Sequence, residues 1–185
     1  MESPPATLAL DAGNTRVAFA VRWFGVINVR GSFSCVAGTL EVPGPDHQEA
    51  SVSGEVESFS VHTGIALRDR HLRGLRFLDS GRHPVIRFES NRVSRHNGVW
   101  DVKGRLTLRG LDRDVSLSVR EERASKTHKR LLAEFSVPRH PHAIGTAAGV
   151  RRLNPLLWAI GGDVIVSIEV LVPATMLAAE HAPAR

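Results

Sequence analysis

The chain holds nine histidines, one cysteine and twenty-four lysines and arginines, so metal, thiol and anion chemistry are the first to weigh. The tightest histidine pair is His140-x-His142. A catalytic zinc needs about three protein ligands and a structural one about four. Two histidines on a loop without a clear third do not make a metal site, and none is expected. Cys35 falls on the apolar face of an expected strand, which reads as a buried, inert thiol. The sequence contains no Gly-x-Ser-x-Gly elbow, no phosphate-cradling glycine loop and no His-Glu-x-x-His. No catalytic residues and no cofactor are expected.

The segments that carry these residues alternate with period two. Val17, Phe19, Val21 and Trp23 interleave with Arg16, Ala18, Ala20 and Arg22, the pattern of a strand with one apolar face. Ile27, Val29, Phe33 and Cys35 continue it. Leu40 and Val42 then shift parity, with Gly38 as the expected place for a bulge. Ser51 to Val61 is another strand whose phase changes before Phe59. The second half is more regular: Trp100 to Leu108, Val115 to Val119, Leu131 to Val137 and Val164 to Val172 each alternate. Asn97-Gly98 has hairpin-turn chemistry, and Gly110 to Arg113 marks the next reversal. Leu67, His71, Leu72, Leu75 and Leu78 recur at helical spacing, predicting one amphipathic helix over 65–78. A second short helical piece is expected near 155–159, and a frayed tail over 174–185.

About eight strands that turn one apolar face the same way must close, since an open sheet would leave two edges exposed. The fold class is therefore all-β, an antiparallel barrel of about eight strands in one domain over 8–173. At 185 residues and 42% hydrophobic composition the chain can bury a full core. A net charge of +5 raises the question of nucleic acid. The basic runs Arg68–Arg82 and Lys126–Arg130 carry interleaved acids or lack stacking aromatics, so a solvated basic face is the reading. The first residues show no secretory leader, no apolar run reaches membrane-helix length, and the lone cysteine fits a reducing compartment. A cytoplasmic location is expected, and a homodimer is compatible with a barrel.

In order along the chain, several motifs resemble the YceI-like family. Leu10-Asp11 with Thr15, Val17 and Phe19 is similar to its first strand, and Val29-Arg30-Gly31-Ser32-Phe33 to its Val-basic-Gly-x-Phe segment. Thr63-Gly64, Arg68-Asp69-x-His71-Leu72-Arg73 and Phe77-Leu78-Asp79 give the closest likeness. His83-Pro84 with Phe88, then Gly104-x-Leu106-Thr107-Leu108-x-Gly110, complete it. The resemblance covers roughly residues 8 to 172. The chain departs from the family at Asn14 and across 138–148. The resemblance implies a lipocalin-like barrel whose tunnel binds isoprenoid-type lipids, polyprenyl chains or quinone tails.

Given that resemblance, the expected walls are Phe19, Val21, Trp23, Phe33, Phe77, Phe88, Trp100, Val102, Leu106, Phe135 and Trp158. Arg30, Arg68, His71 and Arg139 are expected at a polar end, because guanidinium groups suit phosphate oxygens. For Arg68 and Asp69 the favoured role is structural, with Asp69 pairing a neighbouring arginine and fixing the helix to the barrel. The competing reading of the whole is a packed barrel with no small-molecule ligand, acting as an interaction or stress-response module.

Overall fold

A computed structural model describes residues 6–23, 26–43, 50–96, 99–139, 144 and 160–177, without the side chains of Trp23 and Ile160. Eleven strands form one antiparallel sheet: β1 Ala6–Asp11, β2 Thr15–Trp23, β3 Ile27–Phe33, β4 Val36–Val42, β5 Ser51–Glu57, β6 Val61–His62, β7 Val85–His96, β8 Val99–Leu108, β9 Leu111–Arg123, β10 His128–Pro138 and β11 Ile160–Pro173. Their order is β1-β4-β5-β7-β8-β9-β10-β11-β2-β3-β6.

The difference between eleven strands and the expected eight lies in three kinked passes of the chain. β1 and β2 are two halves of one pass, as are β3 with β4 and β5 with β6. The first pass pairs the second through both halves, β2 with β3 and β1 with β4. The second pairs the third likewise, β4 with β5 and β3 with β6. The third continues to β7, and the ladder runs through β8, β9, β10 and β11 back to β2. Counted as passes, the sheet has eight members and each pairs with two others. The sheet curls until its pairings return to the first pass.

Side-chain hydrogen bonds hold the three kinks. Between β1 and β2, Asp11 Oδ1 accepts from the backbone N–H of Gly13 at 2.7 Å, and Asn14 Nδ2 donates to Ala9 O at 2.8 Å. Such local bonds replace the ladder where it is interrupted. Between the next halves, Ser60 Oγ accepts from the N–H groups of Ser34 and Cys35, each at 3.2 Å, and donates to Glu57 O at 2.7 Å. One hydroxyl thus stitches two adjacent kinks together.

These kinks correct several expectations. The parity shift in the second pass occurs at Ser34-Cys35, between β3 and β4, and the register runs without a break through Gly38. Gly38 serves a different need: a Cβ there would lie 2.3 Å from Ser53 O, so β4 and β5 approach closely. Cys35, expected to be buried, is exposed because it sits in the break. The β8–β9 reversal is the two-residue loop Arg109-Gly110, with φ of 55° and 68°, and Leu111 to Arg113 already belong to β9. Positive φ at both positions is the signature of a type I′ hairpin. β7 and β8 pair antiparallel up to His96–Val99, and Asn97-Gly98, the expected hairpin turn, lies outside the described residues.

Helix α1 spans Ala66–Arg73, shorter than expected. Gly74 ends it in an extended conformation, and the chain then turns back, with the N–H of Leu78 bonded to Leu72 O and that of Ser80 to Arg73 O. Beyond β11, where fraying is expected from 174, Ala174–Leu177 form a 3-10 turn that buries Met176 and Leu177. The expected helical piece near 155–159 lies outside the described residues.

The two ends of the barrel differ. At one end lie the β7–β8 and β9–β10 connections and the Ala174–Leu177 turn. There Val42, Val93, Trp100, Val102, Leu117, Ala133, Val172 and Leu177 pack into one core. At the other end lie Val26 before β3, α1, and Arg139 and Ile144 beyond β10. β7, β8 and β9 reach only part-way toward that end, since Val85 pairs with Glu57 and Leu108 turns directly into Leu111.

Candidate ligand cavity

The upper half of the barrel is hollow. A cavity of about 940 Å³ is bordered by every pass of the chain. Val17, Phe19 and Val21 come from the first pass, Phe33 and Val36 from the second, and Val56 from the third. Ile86 and Phe88 follow, then Leu106 and Leu108, Leu117, Phe135 and Val137, and finally Val166 and Ile168. Period two aims each of these side chains inward. Where β7, β8 and β9 stop short, the segment after β6 completes the wall with Leu72, Leu75, Phe77 and Leu78. Phe19 and Phe33 touch at 5.7 Å between ring centroids. Gly31 is required beside them, because a Cβ there would fall 2.4 Å from the Phe19 ring.

Phe19, Val21, Phe33, Phe77, Phe88, Leu106 and Phe135 all border this cavity. Trp100 and Val102 do not. They lie in the packed half beside a void of only about 110 Å³. Trp23 has its backbone in β2, but its side chain lies outside the described residues, as does all of Trp158. Periodicity identifies the inward face of β8 without saying at which height the barrel is filled. That is why Trp100 and Val102 look equivalent to Leu106 in sequence.

The polar candidates divide in the same way. Arg30 is exposed and points away from the cavity, since Val29 and Gly31 take the inward positions of β3. Arg139 borders the cavity and is 4% exposed. Its guanidinium donates to Ile144 O at 3.3 Å, and its backbone N–H to Gly162 O at 2.9 Å. Burial lowers its pKa, against the opposing pull of Asp163. His71 is exposed and borders the cavity, so it stands on the rim, with Arg70, Leu75 and Arg76 beside it in sequence and in the same position. Arg87, also on the rim, is paired with Glu55 at 2.6 Å.

Arg68 and Asp69 take structural roles, but not as a pair. Arg68 donates to Thr63 Oγ1 at 2.7 Å and to Thr63 O at 2.8 Å. Asp69 accepts from the N–H of Thr63 at 2.9 Å and from the Thr63 hydroxyl, and meets His62 Nδ1 at 3.3 Å. Thr63, rather than an arginine, is the shared partner that fastens the start of α1 to β6. The Thr63 hydroxyl bond lowers the Asp69 pKa against desolvation, and the Thr63 N–H, His62 and Arg73 add to it.

A second polar cluster, at the packed end, has no counterpart among the sequence expectations. Glu121 meets Arg95 at 2.8 Å, Lys129 at 2.9 Å and Trp100 Nε1 at 2.6 Å. Arg95 also lies over the Trp100 ring, 5.1 Å from its centroid. Glu121 continues the inward parity of Val115, Leu117 and Val119, and Lys129 that of Leu131. A charged residue in phase with an apolar face was the available signal. Burial alone would raise the Glu121 pKa, but hydrogen bonds from Lys129 and Trp100 and the Arg95 charge bring it below its ordinary value.

Among the described residues no three or more histidine, cysteine or acidic side chains gather as a metal-binding group. His140 and His142 lie outside those residues. No described helix is long and apolar enough to cross a membrane.

Fold and cavity together define an antiparallel barrel built around an apolar chamber. The YceI-like domain matches residues 8–172, and the chain belongs to that family. A UPF0312 protein of Pectobacterium atrosepticum is 31% identical over 104 residues, 56% of this chain and 54% of that protein. One of Yersinia pestis is 32% identical over 101 residues, 55% of this chain and 53% of that protein. The matched region thus spans about half the length of these curated relatives. Among solved structures, Burkholderia cenocepacia BcnA superposes with a TM-score of 0.77 at 14% identity, covering 88% of this chain and 99% of that one. A polyisoprenoid binding domain from Saccharophagus degradans superposes with a TM-score of 0.67 at 15% identity, covering 91% and 98%. At such identities the likeness is one of fold.

Proposed function

We propose that the protein is a carrier or binding protein that holds a long apolar isoprenoid-type lipid, a polyprenyl chain or quinone tail, in the barrel. The observation that carries this reading is the cavity: about 940 Å³ bordered by aliphatic and aromatic side chains from all eight passes. That volume lies toward the upper end of the range of about 300–1,000 Å³ for small-molecule sites. Each buried CH₂ contributes about 0.8 kcal/mol, so ten carbons supply about 8 kcal/mol before ordering costs. The polyisoprenoid-binding description of the Saccharophagus degradans neighbour agrees with that chemistry.

Phe19, Val21, Phe33, Phe77, Phe88, Leu106 and Phe135 form the hydrocarbon wall in this reading. Arg139, buried at the edge of an apolar chamber, and His71 on the rim are the groups offered to a phosphate or carbonyl head. The proposal assigns no catalytic step, because the titratable groups that border the cavity stand on its rim or are tied to structural partners. A packed interaction module is the weaker reading, since half of the barrel is hollow.

The test is organic extraction and mass spectrometry of protein purified without detergent. A prenyl lipid or quinone at about one per chain is expected. No bound lipid, together with no uptake of added prenyl lipids, would overturn the proposal.

A further inference from the structure

Eight large apolar side chains are prominently exposed among the described residues, and their distribution is uneven. Ile165 lies on the outer face of β11 and Leu111 at the β8–β9 turn, each only 37% exposed. The other six, Val26, Ile27, Phe59, Ile65, Leu67 and Leu75, are each at least 49% exposed. β6 pairs Val61 with Phe33 and His62 with Ser32, so the chain leaving β6 heads toward the Ile27 end of β3. Val26 and Ile27 therefore share the cavity-mouth end with α1. Phe59 adjoins α1 through Arg73, whose guanidinium carbon lies 5.0 Å from its ring centroid and whose Nε donates to Phe59 O.

Exposed charge on α1 and the turn after it has one sign, although Glu57 and Glu55 lie nearby on the strand before β6. Across 58–84 the two acidic residues, Asp69 and Asp79, are both buried, whereas Arg70, Arg76 and Arg82 are exposed. Arg70, Leu75 and Arg76 also border the cavity. Exposed apolar side chains flanked by arginines, with no exposed carboxylate on α1 or the turn that follows it, match the interfacial region of an anionic bilayer. There the apolar groups enter the acyl boundary and the guanidinium groups meet lipid phosphates.

We infer that this end of the barrel docks on anionic lipid membranes through Ile65, Leu67 and the exposed Arg70 and Arg76, with the cavity mouth facing the bilayer. Docking goes beyond lipid storage, because it sets the route by which an apolar molecule enters or leaves without crossing water.

The test is co-flotation of the full chain with phosphatidylcholine vesicles containing increasing phosphatidylglycerol and no prenyl lipid. The bound fraction is expected to rise with phosphatidylglycerol and to fall at high salt. The double variant I65E/L67E, at two exposed positions that do not border the cavity, is expected to bind about tenfold more weakly. Its retention of a prenyl lipid in solution should equal that of the parent, so failure of docking and failure of the carrier reading are separable. Equal binding to neutral and anionic vesicles, or unchanged binding by I65E/L67E, would overturn the inference. So would absence of binding to the anionic vesicles; a dimer that I65E/L67E dissociates would then assign this face to a second copy of the chain.

Discussion

Glu121 and Asp69 show how single carboxylates hold opposite ends of this barrel. Glu121 closes the packed end by receiving Arg95, Lys129 and Trp100 Nε1 at once. Removing it leaves three donors at a largely desolvated position, so Glu121→Ala should cost about 2 kcal/mol, measured by urea unfolding. Asp69 similarly ties Thr63 to α1. Both carboxyls have folded pKa values below their ordinary values of 4.5 and 3.8. A carboxyl that ionises more readily when folded contributes stability that is fully present above its unfolded pKa. That contribution is lost as the pH falls through the lower folded value. Stability should therefore decline on acidification from about pH 4.5 downward, and Glu121→Gln should decline less steeply there, as read by thermal unfolding across pH. An equal slope would remove Glu121 from the acid response.

Strand kinks determine how this sheet becomes a chamber. Three passes bend at Asp11–Asn14, Ser34-Cys35 and Ser58–Ser60, and each bend lets one strand serve two parts of the curved wall. Close backbone approach is the other requirement, and Gly38 meets it where β4 crosses Gly54 of β5. Because the obstructing atom is the backbone oxygen Ser53 O, it cannot rotate away as a side chain would. Gly38→Ala should therefore destabilise the fold by about 1–3 kcal/mol, seen as a lower midpoint in urea without a change in cavity chemistry. Had the bulge been at Gly38, an added methyl group would be tolerated far better.

The molecule as a whole divides into a packed half and a hollow half, and substitutions in each should fail differently. Val166 faces the hollow half. Val166→Trp places bulk into empty space, so it should change stability by only about 1 kcal/mol while reducing prenyl-lipid retention about tenfold. Trp100 lies in the packed half and is 5% exposed. Trp100→Ala should cost about 3–5 kcal/mol, and the fraction that folds should still retain lipid. Extraction with mass spectrometry and urea unfolding, applied to both variants, separate the two outcomes. The opposite pattern would mean that a ligand occupies the packed end.

Alternation in the amino-acid sequence determined the strand class, the inward face of nearly every strand and the aromatic side chains that can build a wall. Phe19, Phe33, Leu106 and Phe135 were legible because period two is a local property that needs no partner strand, and Phe88 through the motif it shares with YceI-like proteins. The motif order that resembles YceI-like proteins was legible for the same reason. Only the tertiary structure decided which inward residues meet space and which meet one another. Trp100 and Leu106 share a face of β8, yet their surroundings are contributed by passes distant in sequence. The kinks at Ser34-Cys35 and Ser58–Ser60 depend on a bond from one pass to another, so Cys35 read as buried and is exposed. Arg30 and Arg139 are both arginines near strands, but only closure of the barrel puts one outside and the other against the chamber. Faces are written along the chain, whereas the volume they enclose depends on closure and strand bends.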